Sequence, residues 1–125
     1  MEQIKVVIGG CRDYNNYEEF CDFVEECLSE DSRRMKIVII SGHCTGTDIM
    51  AEQYAKEKGY ELQIFPAQWS KYGRAAGPKR NKEMVEAADK VIAFWDCKSK
   101  GTKTLIEYGK KLNRIIKIKK IKRSI

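Results

Sequence analysis

A chain of 125 residues, 42% hydrophobic and 34% charged, has the size of one domain and can bury a core without disulfide or metal staples. Its apolar fraction excludes a disordered chain, the lack of an 18-residue apolar run excludes a membrane-spanning helix, and the start Met1-Glu2-Gln3-Ile4-Lys5 carries no signal-peptide pattern, so a cytoplasmic protein is expected. The net charge of +6 is concentrated at one end. Lys117, Lys119, Lys120, Lys122 and Arg123 supply +5, while the other 116 residues hold 19 basic and 18 acidic groups. The body is nearly neutral, and nucleic-acid attraction through a basic tail is the alternative to a merely solvated end.

The elements follow one another as strand then helix. Lys5–Ile8 is a short apolar run ended by Gly9-Gly10, as expected for a strand buried on both faces. Tyr17, Phe20, Val24, Cys27 and Leu28 recur at helical spacing after a cap at Asn15 or Asn16. Ile37–Ile40 is a second buried strand. Met50, Ala51, Tyr54 and Ala55 form one face of a second helix that Gly59 stops. Leu62–Phe65 reads as a third strand, 67–77 as a loop, and Pro78 as part of the first turn of a helix carrying Met84, Val85 and Ala88. Val91–Phe94, a helix opened by Gly101-Thr102, and a strand over Ile115–Ile118 complete the chain. Five strand units separated by helices predict a three-layer α/β Rossmann-like sandwich with a five-stranded, mainly parallel sheet. Ligands of such sheets sit at the carboxyl ends of the strands, which directs attention to the loops after them.

Ser41-Gly42-His43-Cys44-Thr45-Gly46-Thr47-Asp48 joins a strand to a helix and suits an anion at the helix start, although it is neither a dinucleotide fingerprint nor a Walker loop. The plainer reading is a tight turn with Asp48 as helix cap. Gly101 and Thr102 repeat the device before the last helix, and two such loops on one sheet edge would make one anion cradle. Between them Trp69, Tyr72, Arg74, Gly77, Pro78, Arg80 and Asn81 crowd into thirteen residues. Arginine forks bind phosphate and aromatic faces stack bases; the competing reading packs Trp69 into the core and leaves the arginines in water. Arg12, after Gly10, is either a ligand contact or a brace to Asp13 or Asp48. Trp95 and Asp96 end a strand, where Asp96 accepts from a sugar hydroxyl or caps a turn. His43, the only histidine, reads as a surface or ligand-adjacent group rather than a catalytic base. The five cysteines (Cys11, Cys21, Cys27, Cys44, Cys97) are scattered, so no metal is expected and they read as small buried hydrophobes.

Three stretches occur in order: Gly9-Gly10-Cys11-Arg12-Asp13-Tyr14, Ser41-Gly42 through Gly46 and Asp48 to Ala51-Glu52, and Pro66-Ala67 with Trp69. Tyr72-Gly73-Arg74-Ala75-Ala76-Gly77-Pro78, then Arg80-Asn81, Met84 and Gly101-Thr102, follow them. This order resembles the YspA-type branch of the SLOG superfamily, a Rossmann-like group that includes the Lonely-guy hydrolases and the DprA domain. The resemblance covers residues 4 to about 118. It implies a nucleotide-binding domain over 1–118 with a basic tail over 119–125, and a nucleotide-derived ligand such as an ADP-ribose-type molecule, sensed or sequestered in a bacterial or phage setting. The Lonely-guy relatives cleave a nucleoside monophosphate; their motif arginine corresponds to Arg80, but the position of their catalytic glutamate is Leu105 here, and Glu107 lies about 200° around the helix from it.

The expected ligand contacts are therefore Gly10, Arg12, Ser41, Gly42, Gly46, Asp48, Trp69, Arg74, Gly77, Arg80, Asn81, Trp95, Gly101 and Thr102, with no cofactor and no metal. The first expectation is a binder of a nucleotide-type small molecule. The alternatives are an N-glycosidic hydrolase using Arg80 with Glu107, Asp48 or Asp96, and a nucleic-acid module using the tail. Tyr17, Phe20 and Phe23 on one helix suggest a surface for a homodimer or higher homo-oligomer.

Overall fold

In the computed structural model, which describes residues 2–122, β1 (Gln3–Gly10) lies at the centre of a five-stranded sheet. The order is β3 (Glu61–Ile64), β2 (Lys36–Ser41), β1, β4 (Lys90–Trp95) and β5 (Ile115–Lys120), and every neighbouring pair is parallel. Side chains alternate across a strand, and the apolar runs use both faces. Ile4, Val6, Ile8, Ile37, Ile39, Ile92 and Phe94 meet α1 (Tyr17–Leu28) and α3 (Thr47–Lys58) on one side. Val7, Ile40 and Val91 meet Met84 and Val85 of α5 (Ala76–Ala87) and Leu105 of α6 (Lys100–Lys111) on the other. These are the three layers expected. Phe20 and Phe94 stack at 4.9 Å between centroids, with Tyr14 against Phe94 at 5.3 Å. Fully buried side chains of this size each favour folding by roughly 1.5–3 kcal/mol.

α1 begins where Asn16 accepts the Glu19 N–H at 3.1 Å, the cap expected, and Glu18 and Glu19 complement the helix dipole. α3 stops at Gly59, whose left-handed φ of 71° lets its N–H bond back to the last turn. The edge strands are less buried than the centre. β5 alternates half-buried Ile116 and Ile118 with exposed Lys117, a charged edge that discourages strand addition.

The structure differs from the sequence reading in several places, and of the five cysteines read as buried hydrophobes only Cys11 is fully buried while Cys97 is exposed. The span read as a loop over 67–77 contains α4 (Trp69–Tyr72) and a 3-10 turn (Gly73–Ala75), and α5 already starts at Ala76; these pieces are too short to show helical periodicity. A one-turn helix, α2 (Asp31–Arg34), escaped notice for the same reason. The basic tail starts later than expected. Lys119 and Lys120 belong to β5, and Ile121 donates its N–H to the Trp95 carbonyl at 3.0 Å and packs on the core, while residues 123–125 lie outside the described residues. Finally, Tyr17, Phe20 and Phe23 all pack within one subunit. Steps of three residues rotate each ring by about 60°, so the three fit the broad face that α1 turns to the sheet. That removes the observation on which a partner subunit was expected.

Candidate functional site

The strand order reverses between β1 and β4. The chain leaves β1 for the α1 face and leaves β4 for the α6 face, so the two carboxyl ends part and open a crevice. A cavity of about 230 Å³ lies there. Gly9, Gly10, Cys11 and Arg12 form its floor and one lip. Cys44 and Asp48 come from the β2–α3 loop, Arg80, Asn81 and Met84 from α5, and Ser99, Gly101, Thr102 and Leu105 from the β4–α6 junction.

Close backbone approach explains two of the glycines. A Cβ on Gly10 would sit 2.3 Å from the Phe94 carbonyl oxygen and 2.9 Å from Thr47 Oγ1. Gly46 has φ 74°, and a Cβ there would lie 2.3 Å from the Arg12 carbonyl oxygen. The β2–α3 loop is thus pressed onto the end of β1. Thr47 fastens it, donating both its N–H (3.2 Å) and its hydroxyl (2.9 Å) to the Cys11 carbonyl. Thr45 adds a hydroxyl bond to the Arg12 carbonyl at 3.2 Å.

Arg80 is a buried guanidinium on α5. Its Nε donates to Asn81 Oδ1 at 3.0 Å, Nη1 donates to the Gly42 carbonyl and at 3.5 Å to the Phe65 carbonyl, and Nη2 points to Cys44 Sγ at 3.6 Å. An arginine carries five N–H donors, so one on Nη2 remains for a ligand. Asn81 passes the brace on, donating Nδ2 to the Gly101 carbonyl at 3.1 Å. One α5 turn therefore ties the β2–α3 loop to the start of α6. Gly42 is bare because a Cβ would stand 2.6 Å from Arg80 Nη1.

The electrostatics are mixed. Asp48 is 6% exposed; burial pushes its carboxyl up to about 6, although the Cys44 N–H and the guanidinium groups of Arg80 and Arg12 pull the other way. Asp96 behaves oppositely. Slight burial pushes it up, but the N–H groups of Ser99 (2.7 Å) and Lys98 (2.9 Å) and the Ser99 hydroxyl outweigh this and hold it at about 2. It shapes the β4–α6 loop that presents the start of α6. The first-turn N–H groups of α6 have no intrahelical partners. Thr102, 5% exposed, lines the cavity, and its hydroxyl makes no hydrogen bond among the described residues, whereas Thr104 on the same helix donates to the Lys100 carbonyl at 2.9 Å.

Of the residues expected at the site, Gly10, Arg12, Asp48, Arg80, Asn81, Gly101 and Thr102 converge on this cavity. Gly42 and Gly46 stand behind its wall. Trp69 lies outside the lining, half-exposed with its ring 3.3 Å from where a Gly77 Cβ would be and 5.9 Å from the Arg12 guanidinium carbon. So the core-packed Trp with solvated arginines is reversed for this pair: Trp69 faces water and Arg80 is buried. Arg74 is exposed and outside the lining, in the 3-10 turn. Trp95 spends its indole N–H on the Ser99 carbonyl at 3.1 Å. Glu107 is exposed, as expected from its angular distance to Leu105, which faces the cavity. Asp48 is not the helix cap: it is the second residue of α3, Gly46 is the cap position, and the carboxylate accepts from Cys44 instead. Ser41 faces the other way, its hydroxyl 2.8 Å from Glu52 Oε2. Glu52 was unforeseen: buried, it also holds His43 Nδ1 at 2.9 Å, with His43 in a left-handed conformation at φ 61°. A glutamate on a helix facing its own preceding loop leaves no spacing signal.

A family model described as "YspA, cpYpsA-related SLOG family" matches residues 4–72. The Gene 61 protein of Mycobacterium phage D29 is 32% identical over 96 residues, 70% of this chain and 77% of that protein. The fold is similar to that of DNA processing protein A from Helicobacter pylori, whose structure was described for its single-stranded DNA binding mode. The TM-score is 0.66 at 20% identity, over 97% of this chain and 68% of that one.

Proposed function

We propose that this chain, which belongs to the YspA, cpYpsA-related SLOG family, binds a nucleotide-type anion in the cavity between the carboxyl ends of β1 and β4 and holds it without cleaving it. The observation that carries this reading is the start of α6. First-turn N–H groups without intrahelical partners and a Thr102 hydroxyl that makes no hydrogen bond among the described residues lie at a cavity flanked by Arg12 and Arg80. Phosphate oxygens suit these donors, and the remaining Nη2 hydrogen of Arg80 adds charge from below. The cavity is small beside the roughly 300–1,000 Å³ of sites that engulf a whole small molecule. It holds a phosphorylated sugar and leaves the base at the lip, where Arg12 and the exposed Trp69 ring offer cationic and stacking surfaces. Cleavage at the glycosidic carbon needs a carboxylate beside developing positive charge; Leu105 stands where the Lonely-guy hydrolases carry theirs, and the carboxylate that does line the cavity, Asp48, comes from α3.

Titration calorimetry with AMP, ADP-ribose and NAD tests the reading. At least one binds, Arg80→Lys weakens it about tenfold or more because a point charge cannot replace the fork, and chromatography recovers the ligand intact. Silence from all three, or full affinity in Arg80→Lys, contradicts it. A second reading, single-stranded nucleic acid, is favoured by the exposed Lys117, Lys120 and Lys122 at the β5 edge and by the fold likeness. It predicts binding that falls steeply with salt.

A further inference from the structure

Resting on the nucleotide-binding reading, we propose that Asp48 reads the sugar: its Oδ1 accepts a hydrogen bond from a ribose hydroxyl, so the site favours ribonucleotides over nucleotides lacking those hydroxyls. The Asp48 side chain is nine-tenths buried, and its two oxygens differ. Oδ2 accepts the Cys44 N–H at 3.1 Å. Oδ1 lies 3.5 Å from the point where a Gly9 Cβ would be, over bare backbone. Among the described residues no donor reaches Oδ1, and every side-chain oxygen or nitrogen sealed from solvent has a partner. Oδ1 therefore opens on the cavity that Asp48 lines.

Oδ1 faces the cavity with no protein donor, so a ligand group that reaches it must bring one. Phosphate cannot satisfy it, since phosphate brings like charge and acceptors. A hydroxyl can. At neutral pH the carboxyl, with its pKa of about 6, is mostly ionised and acts only as an acceptor. The charged groups acting on it are Arg80 of α5, Arg12 of the β1–α1 loop and Glu52 of α3. Leu105 fixes which part of the ligand arrives. Its Cδ2 lies 2.9 Å from the same Gly9 point, one turn along α6 from Thr102, so an apolar side chain and the acceptor sit side by side over Gly9, next to the anion donors. The carbon face and hydroxyl edge of a pentose match that pair.

The test is calorimetry at pH 7.5 with AMP and 2′,3′-dideoxy-AMP on the wild type and on Asp48→Ala. The wild type is expected to bind AMP at least tenfold more tightly than the dideoxy compound, and the ratio to fall to near one in Asp48→Ala. Equal wild-type affinities overturn the inference, as does a ratio that survives in the variant. If Asp48→Ala fails to fold, the wild-type pair decides. AMP silent while ADP-ribose binds overturns this inference and leaves the binding reading standing; silence from every nucleotide overturns both.

Discussion

At the scale of single residues, Asp48 sets the site's needs against those of the fold. Its carboxyl is raised from an ordinary 3.8 to about 6, chiefly by burial. Between those two values the folded chain keeps a proton that the unfolded chain has released, so stability declines as pH rises from about 4 to about 6 and is level above that. The shift corresponds to about 3 kcal/mol. Asp48→Asn keeps an oxygen for the Cys44 N–H and carries no charge to bury. It should therefore melt higher than the wild type at pH 7.5, with the gap closing toward pH 4. Thermal unfolding of both proteins across that range checks this, and a gap that ignores pH contradicts it. Arg80 has a similar double role. Four of its donated bonds go to the protein itself, so it braces the loops and keeps one Nη2 hydrogen uncommitted at the cavity.

At the scale of elements, the same chemical change has opposite consequences at two glycines of the site. On β1 a methyl at Gly10 meets the Phe94 carbonyl oxygen at 2.3 Å, and no flexible side chain can yield there. On α6 a methyl at Gly101 meets nothing within 4 Å, and a helix prefers alanine to glycine by about 1 kcal/mol. Gly101→Ala is thus expected to raise the melting temperature and Gly10→Ala to lower it, overpacking there costing about 1–3 kcal/mol; denaturation of the two variants decides. The central strands and long helices were legible in the sequence because a run such as Val6-Val7-Ile8 or Ile37–Ile40 has one stable place in a parallel sheet. The one-turn helices were not, since four residues carry no period. Gly10, Gly101 and Thr102 could be placed at the rim of this cavity from their position after a strand. The role of Glu52 was not legible, because it depends on how the Ser41–Asp48 loop folds back over its own helix.

At the scale of the whole molecule, the site follows from topology. Placing β1 between β2 and β4 sends the connections that leave β1 and β4 to opposite faces, and the gap at their carboxyl ends exists before any side chain is chosen. The acidic and basic groups of the body nearly balance, and Arg12 and Arg80 both line the cavity at this rim. No helix among the described residues is long and apolar enough to cross a membrane. Amide chemical shifts on adding AMP or ADP-ribose to the isotopically labelled chain report whether an anion sits at the start of α6 against the end of β1. The amides of Gly10, Arg12, Gly101 and Thr102 are expected to move together and saturate with one affinity. Shifts confined to β5 and its lysines, or no saturable shift at that rim with either nucleotide, would contradict that placement.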